Sequence, residues 1–201
     1  MPGRELEFWF DFASTYSYVS ARRIDSLASP SGIRIRWMPF LLGPVFAAQG
    51  WNTSPFNVYP AKGNYMWRDV ERLCTRHAIE FRRPEAFPQF ALLATRVGVA
   101  GAGEPWLASF CNSLFHAEYG RGQDITGTQT VAEALEQLGL DAAGWIARTQ
   151  SPEVKQALRD RVTDAQARGI FGAPTFITPD GELFWGDDRL EQSIEWMLKH
   201  R

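Results

Sequence analysis

Apolar residues follow two different spacings along this chain, and the changes between them divide it into three parts. Leu6-Glu7-Phe8-Trp9-Phe10-Asp11-Phe12 is short and aromatic-rich, as a buried strand is. It runs into Asp11, Ser14 and Thr15, residue types that start helices. Residues 16–27 then read as a helix, with Tyr16, Val19 and Leu27 among its apolar positions. Ser29-Pro30-Ser31-Gly32 reads as a loop, and residues 33–38 begin by alternating apolar with charged, as a strand with one exposed face does. Leu42-Gly43-Pro44, and then residues 50–60, are rich in loop-forming types. After Lys62 the spacing turns helical. Met66, Val70, Leu73 and Cys74 share a stripe within 65–77, Phe87-Pro88 opens another helical stretch, and Trp106, Phe110 and Leu114 fall four apart. Thr130-Val131-Ala132-Glu133 has the pattern of a capping box. Ser151-Pro152-Glu153 reads as a cap with Pro at the first helical position, and Val154, Leu158 and Val162 line one face from there towards Arg168. Strand signals return at residues 174–178, followed by the turn Pro179-Asp180-Gly181 and a pairing run at 182–185. Gly186-Asp187-Asp188 opens a last helix whose inner face carries Leu190, Ile194 and Met197.

The order is therefore βαβ, many helices, ββα. The short connection between the first two strands predicts a right-handed parallel βαβ unit. The helices between 62 and 168 are too many for a simple crossover, so they are read as an inserted all-helical domain. Residues 1–61 and 169–201 together make an α/β domain with a four-stranded sheet, the thioredoxin-like arrangement. Composition adds little: 201 residues, 45 % hydrophobic, 22 % charged and a net charge of −2 describe an ordinary soluble globular chain with no basic excess for nucleic acid. The opening Met1-Pro2-Gly3-Arg4-Glu5 leads into no apolar stretch of signal-peptide length, and no run approaches a membrane span, so a cytoplasmic location is expected. Cys74 and Cys111 form no C-x-x-C, metal or disulfide spacing and are expected to be buried packing residues.

In a thioredoxin-like arrangement the reactive group sits at the head of the helix after the first strand, where unpaired N–H groups favour negative charge. A redox member carries cysteines there. This chain carries Ser14-Thr15-Tyr16-Ser17. Serine cannot exchange disulfides, and none of His77, His116 and His200 is near it in sequence. Ser14 can cap the helix, or donate a hydrogen bond to a thiolate brought in from outside, and the two roles are compatible. Such a bond together with the helix terminus is worth on the order of 2–3 kcal/mol, enough to lower a thiol pKa by roughly two units.

Phe10-Asp11-Phe12-Ala13-Ser14-Thr15-Tyr16-Ser17-Tyr18 resembles the opening of the 2-hydroxychromene-2-carboxylate isomerases and kappa-class glutathione transferases, relatives of the DsbA-like proteins. The segments from Tyr59 to Asp69, Gly169 to Phe176 and Trp185 to Arg189 resemble further parts of that family in the same order, so the likeness spans essentially the whole chain. It implies that Ser14 holds and activates the sulfur of glutathione. It implies a cis Pro174, with Ala173 offering its backbone to the cysteinyl part. In the Trp185-Gly186-Asp187-Asp188 turn it implies glutathione contacts, with Asp187 and Asp188 on the γ-glutamyl ammonium. Lys62 would face a glutathione carboxylate, and Asn57 or Asn52 would contact glutathione or substrate, Asn57 being assigned to the former and Asn52 to the latter. Phe87 and Pro88 would line the substrate cleft. Read from the residues alone, Asp187 and Asp188 are equally a helix cap, Lys62 a solvated surface charge and Phe87-Pro88 a helix entry.

The activity so implied is glutathione-dependent cis–trans isomerisation of 2-hydroxychromene-2-carboxylate and trans-o-hydroxybenzylidenepyruvate through a transient glutathione adduct, in aromatic catabolism, by a homodimer. Family members often carry a lysine where this chain has Ala47, a residue suited to a substrate carboxylate; Arg82 or Arg83 would have to replace it. That departure keeps a second activity in view, transfer of glutathione to another electrophile or peroxide reduction. A DsbA-like thiol–disulfide oxidoreductase relative is a third reading, which the missing C-x-x-C opposes. A non-catalytic module that retains the pocket is a fourth.

Overall fold

Strand β1 (Glu5–Phe10) sorts its side chains to two sides, as the two-residue repeat of a strand requires. Leu6, Phe8 and Phe10 enter one apolar cluster, and Trp9 enters another. Both faces are therefore covered, which is why the run reads as continuously apolar. The structure, a computed structural model, describes residues 4–200; Met1-Pro2-Gly3 of the expected leaderless start, and Arg201, lie outside them.

The sheet has four strands in the order β2-β1-β3-β4. β2 (Arg34–Pro39) runs parallel to β1, with Phe8 opposite Trp37. β3 (Thr175–Ile177) is antiparallel to β1, and β4 (Leu183–Trp185) closes a hairpin with β3. The βαβ and ββα readings thus stand, and the thioredoxin-like architecture with them. Between β1 and β2 the chain forms α1 (Thr15–Ala21) and α2 (Ile24–Ala28), rather than the single helix expected over 16–27. The break falls at Arg23, whose guanidinium is drawn to Asp187 and Glu191.

Two further expectations fail for physical reasons. The stretch read as loop holds α3 (Leu42–Ala48) and α4 (Pro55–Val58), and α5 (Pro60–Arg76) starts before Lys62. The prolines that signalled loop stand in first turns, where a missing N–H costs nothing. Helix α3 has no cap of its own; its Leu42 N–H bonds to Asp11, 31 residues upstream, a signal invisible to local reading. Phe87-Pro88 does not open a helix. That segment is irregular and is held by Gln89, whose side chain donates to the Gln123 carbonyl and accepts from Ile125 N–H at 2.8 Å. Helix α6 (Leu92–Ala100) begins beyond it.

The chain continues through α7 (Leu107–Phe115), a π turn at His116–Gly120, α8 (Thr128–Glu136), α9 (Ala142–Arg148) and α10 (Pro152–Ala167), and ends on α11 (Leu190–Lys199). Ser151 caps α10 as its sequence predicts, accepting from Val154 N–H. The capping box at Thr130 is not one: α8 starts three residues earlier, behind Gly127, and Thr130 bonds to the Asp124 carbonyl instead.

One face of the sheet meets α1, α5, α7 and α11, and Phe8, Phe10, Phe12, Phe115 and Tyr18 build an aromatic stack through that core. Each such pair adds about 0.5–1.5 kcal/mol beyond its buried area. The other face meets α3 and α10 through Trp9, Met38, Val45 and Ala165. Cys74 and Cys111 are both free and buried, and burial pushes the Cys74 thiol up to about 12. Among the described residues no helix is long and apolar enough to cross a membrane.

Candidate functional site

A cleft of about 1220 Å³ opens where the head of α1, the head of α3, α5 and the turn before β3 meet. Ser14 stands on its wall and is buried to 9 % exposure. Its backbone is extended, and its Oγ accepts from Ser17 N–H at 3.2 Å, so it caps α1. The same hydroxyl donates to the Ala173 carbonyl at 3.0 Å, across 159 residues of sequence. Its one donor and one of its two acceptor positions are therefore occupied by the protein itself. Helix α1 is only seven residues long, so the attraction of this end for negative charge comes from the first-turn N–H groups rather than from an extended dipole.

Most of the residues picked out from the sequence meet on this one cleft. Asn52, Lys62, Phe87, Pro88, Ala173, Pro174, Trp185, Gly186, Asp187 and Asp188 all line it with Ser14. The Ala173–Pro174 peptide bond is cis, as is Phe87–Pro88. Asn57 is not on the wall; its amide lies 3.3 Å from Thr53 Oγ1 and 3.5 Å from the Phe87 carbonyl, behind the loop. Neither Arg82 nor Arg83 reaches the cleft: Arg83 lies over the Trp67 ring at 4.7 Å.

Asp187 and Asp188, neighbours in sequence, have opposite environments. Asp187 is buried, accepts from Ser20 Oγ at 2.7 Å and is bridged to Arg23 at 3.2 Å. Burial pushes its carboxyl above the usual range, against the pull of Ser20 and Arg23. Asp188 points outward with its side chain 74 % exposed, 3.3 Å from Arg189. Lys62 stands in the first turn of α5 with its ammonium 4.9 Å from the Tyr59 ring centre. On the rim, the half-exposed Phe171 and Trp185 pack ring to ring at 4.8 Å, and Gly172 lets that indole close in: a Cβ there would lie 2.4 Å from its Nε1.

Sequence reasoning missed several cleft groups. Arg23 and Arg76 bring positive charge to the Asp187 end, where burial together with Arg23 lowers the pKa of His77. Tyr16 donates to Asp69 at 3.0 Å, joining α1 to α5 across the cleft. Asp11, read only as a helix-start residue, is 7 % exposed and pushed up to about 6 by burial, against two backbone hydrogen bonds. Short side chains just past a strand end are the sequence signal for such a residue; nothing local marks Arg23, which reads as a helix-surface arginine.

A four-stranded mixed sheet with a cis proline facing the head of the first helix defines a thioredoxin-fold protein, here with serine at the reactive position. The family model of the DSBA-like thioredoxin domain matches residues 5–195, and the chain belongs to that family. It is 30 % identical over 201 residues to the 2-hydroxychromene-2-carboxylate isomerase of Sphingobium xenophagum, covering 97 % of this chain and 98 % of that one. It is 28 % identical to glutathione S-transferase kappa 2 of Caenorhabditis elegans, covering 99 % of this chain and 94 % of that one. A solved 2-hydroxychromene-2-carboxylate isomerase superposes with a TM-score of 0.86 at 27 % identity, covering 97 % of this chain and 95 % of the other. The protein is thus an isomerase-like member of the family, similar to these enzymes along its length.

Proposed function

We propose that the protein is a glutathione-dependent isomerase that interconverts 2-hydroxychromene-2-carboxylate and trans-o-hydroxybenzylidenepyruvate in aromatic catabolism. The observation that carries this reading is Ser14 Oγ bound to the Ala173 carbonyl at 3.0 Å on the cleft wall. That pair is a self-satisfied donor and acceptor at the place where a cysteinyl peptide would need one of each.

The residues present fit glutathione. Ser14 would release Ala173 and turn its proton to the sulfur, because a charge-assisted bond exceeds the neutral one it replaces by about 1 kcal/mol. The freed Ala173 carbonyl would then take the peptide's N–H, as in strand addition. Asp188, exposed, suits the γ-glutamyl ammonium; Asp187 is already committed to Ser20 and Arg23 and serves to hold Arg23 on the wall. Lys62 offers its ammonium to a carboxylate, and Gly186 and Trp185 shape the turn beneath the ligand. Bound there, glutathione would supply a thiolate, the nucleophile that reversible addition to a conjugated enone requires. Phe87, Pro88, Phe171 and Asn52 wall the space beside Ser14 that an aromatic substrate would fill, Phe87 held edge-on to Trp67 at 4.9 Å. The same reading makes the protein a cytoplasmic homodimer whose residues 62–168 act as an inserted helical domain over the site.

The test is to mix enzyme, glutathione and the chromene and follow absorbance. A glutathione-dependent rate is expected; its absence removes this substrate. One observation favours a second reading, a kappa-like transferase or peroxidase acting on another electrophile. The cleft wall from Leu41 to Asn52 carries no charged residue to meet a substrate carboxylate. Turnover of a panel of uncharged aromatic electrophiles, with the chromene inert, would select that reading, and measurable insulin reduction would instead select a disulfide oxidoreductase.

A further inference from the structure

Asp11 lies where β1 ends, and three different groups converge on this one residue. Its backbone carbonyl accepts from Ser14 N–H at 2.9 Å. Its Oδ1 accepts from Ala13 N–H at 2.9 Å, and its Oδ2 from Leu42 N–H at 2.7 Å. The first two bonds shape the turn that delivers Ser14. The third supplies the cap that α3 lacks, since Leu41 at its N-cap makes no side-chain bond. Leu41, Leu42, Pro44, Phe46 and Ala47 of that segment line the cleft.

We propose that Asp11 is a positioning residue: its two carboxylate oxygens strap the Ser14 turn to the head of α3, fixing the sulfur-binding side of the cleft against the wall where the electrophile lies. This deepens the glutathione reading and rests on it for its effect on turnover. The strap itself is a property of the free protein.

An ionised carboxylate accepts on both oxygens, whereas a protonated one presents a hydroxyl to one of the two N–H groups and loses that bond. The strap therefore tightens as Asp11 ionises, with a midpoint near 6. Few ionisable groups face it. Helix α3 and residues 171–174 carry no ionisable side chain. Helix α1 contributes Tyr16 and Tyr18, both raised by burial. The π turn contributes Glu118 and Tyr119, both raised chiefly by burial, with the charge of Asp11 raising them further.

The experiment has two arms on the intact protein. In the first, backbone amide shifts of Ala13 and Leu42 are followed by NMR against pH without ligand. Both are expected to titrate together with one midpoint near that of Asp11. Shifts that do not move, or that move with separate midpoints, overturn the strap. In the second, kcat/KM for the electrophile is measured against pH for wild type, Asp11→Asn and Leu42→Pro. The wild-type rate is expected to steepen below the Asp11 midpoint, from one proton to two, because thiol and strap both protonate.

Asp11→Asn should lose the steep limb and about tenfold in kcat/KM, while glutathione affinity by calorimetry stays within about threefold. Leu42→Pro keeps the carboxylate and removes only the donor. Proline is tolerated at a first helical position, and Leu41 is already extended, as a residue before proline must be. Having lost a bond that favours its charged form, Asp11 should then titrate higher and carry the steep limb to higher pH. An unchanged pH profile in both variants overturns the proposal. Amides that titrate as expected beside a calorimetric silence towards glutathione would support the strap and overturn the glutathione reading instead.

Discussion

Replacing the Ser14 hydroxyl separates the two jobs assigned to it. Ser14→Ala removes the cap on Ser17 N–H and the bond to the Ala173 carbonyl. Loss of a serine cap costs about 1 kcal/mol, and loss of a neutral hydrogen bond about 1 kcal/mol more. Ser14→Gly also lacks the hydroxyl, but glycine at a cap position costs only a few tenths, so its stability loss should be about half as large. Towards a bound thiol the two variants should behave alike. A hydrogen bond to a charged acceptor is worth about 1.5–3 kcal/mol, and at 1.36 kcal/mol per unit the thiol pKa should rise by about one to two units in both. Urea unfolding gives the first quantity. The ultraviolet absorbance of enzyme-bound thiolate, titrated from acid to alkaline pH, gives the second. A thiol pKa in Ser14→Gly equal to that of wild type would refute the reasoning, because the hydroxyl would then be a cap and nothing else.

Other perturbations follow from single contacts. Gly172→Ala puts a methyl 2.4 Å from Trp185 Nε1 and should unseat the indole from Phe171, read as an altered tryptophan emission and weakened glutathione binding by calorimetry. Gly63→Ala sets its Cβ 2.3 Å from the Phe56 carbonyl and should destabilise by about 1–3 kcal/mol in urea, by forcing α5 from α4. Arg23→Ala strands the buried Asp187 and should cost about 3 kcal/mol, whereas Arg23→Ala combined with Asp187→Ser should cost measurably less than the sum of the two single changes. Asp11, raised from 3.8 to about 6, holds its proton more tightly folded than unfolded. Its contribution therefore grows as pH falls from 7 to 4, by about 2.4 kcal/mol, and unfolding curves of wild type and Asp11→Asn should diverge in favour of wild type on acidification. On this account the ionised carboxylate is retained at neutral pH at the expense of stability, because it positions the site.

The sheet and the end of the chain were legible because local rules and tertiary structure agree there. An aromatic strand followed by Ser14, and a hairpin around Pro179-Asp180-Gly181, carry their own signals. The helix at 42–48 was not, because its cap is a carboxylate at the far end of β1 and its Gly-Pro pair stands in a first turn. The split of α1 from α2 was hidden for the same reason: the group that draws Arg23 inward, Asp187, lies 164 residues away. The site shows the same division. The sequence, through its family likeness, picked out Ser14, Ala173, Pro174 and the 185–188 turn, which the structure gathers on one cleft. It could not separate Asp187 from Asp188, since burial alone distinguishes them, nor place Asn52 on the wall and Asn57 behind it.

The central claim is that a peptide thiol is held at the head of α1 by Ser14 and lies beside Ala173. A crystal structure of the protein at saturating glutathione tests it directly. The account predicts the sulfur within hydrogen-bond reach of Ser14 Oγ, with that hydroxyl turned away from the Ala173 carbonyl and the peptide's N–H in its place. A tripeptide bound with its sulfur elsewhere, or a cleft that stays empty while Ser14 keeps its bond to Ala173, would contradict it.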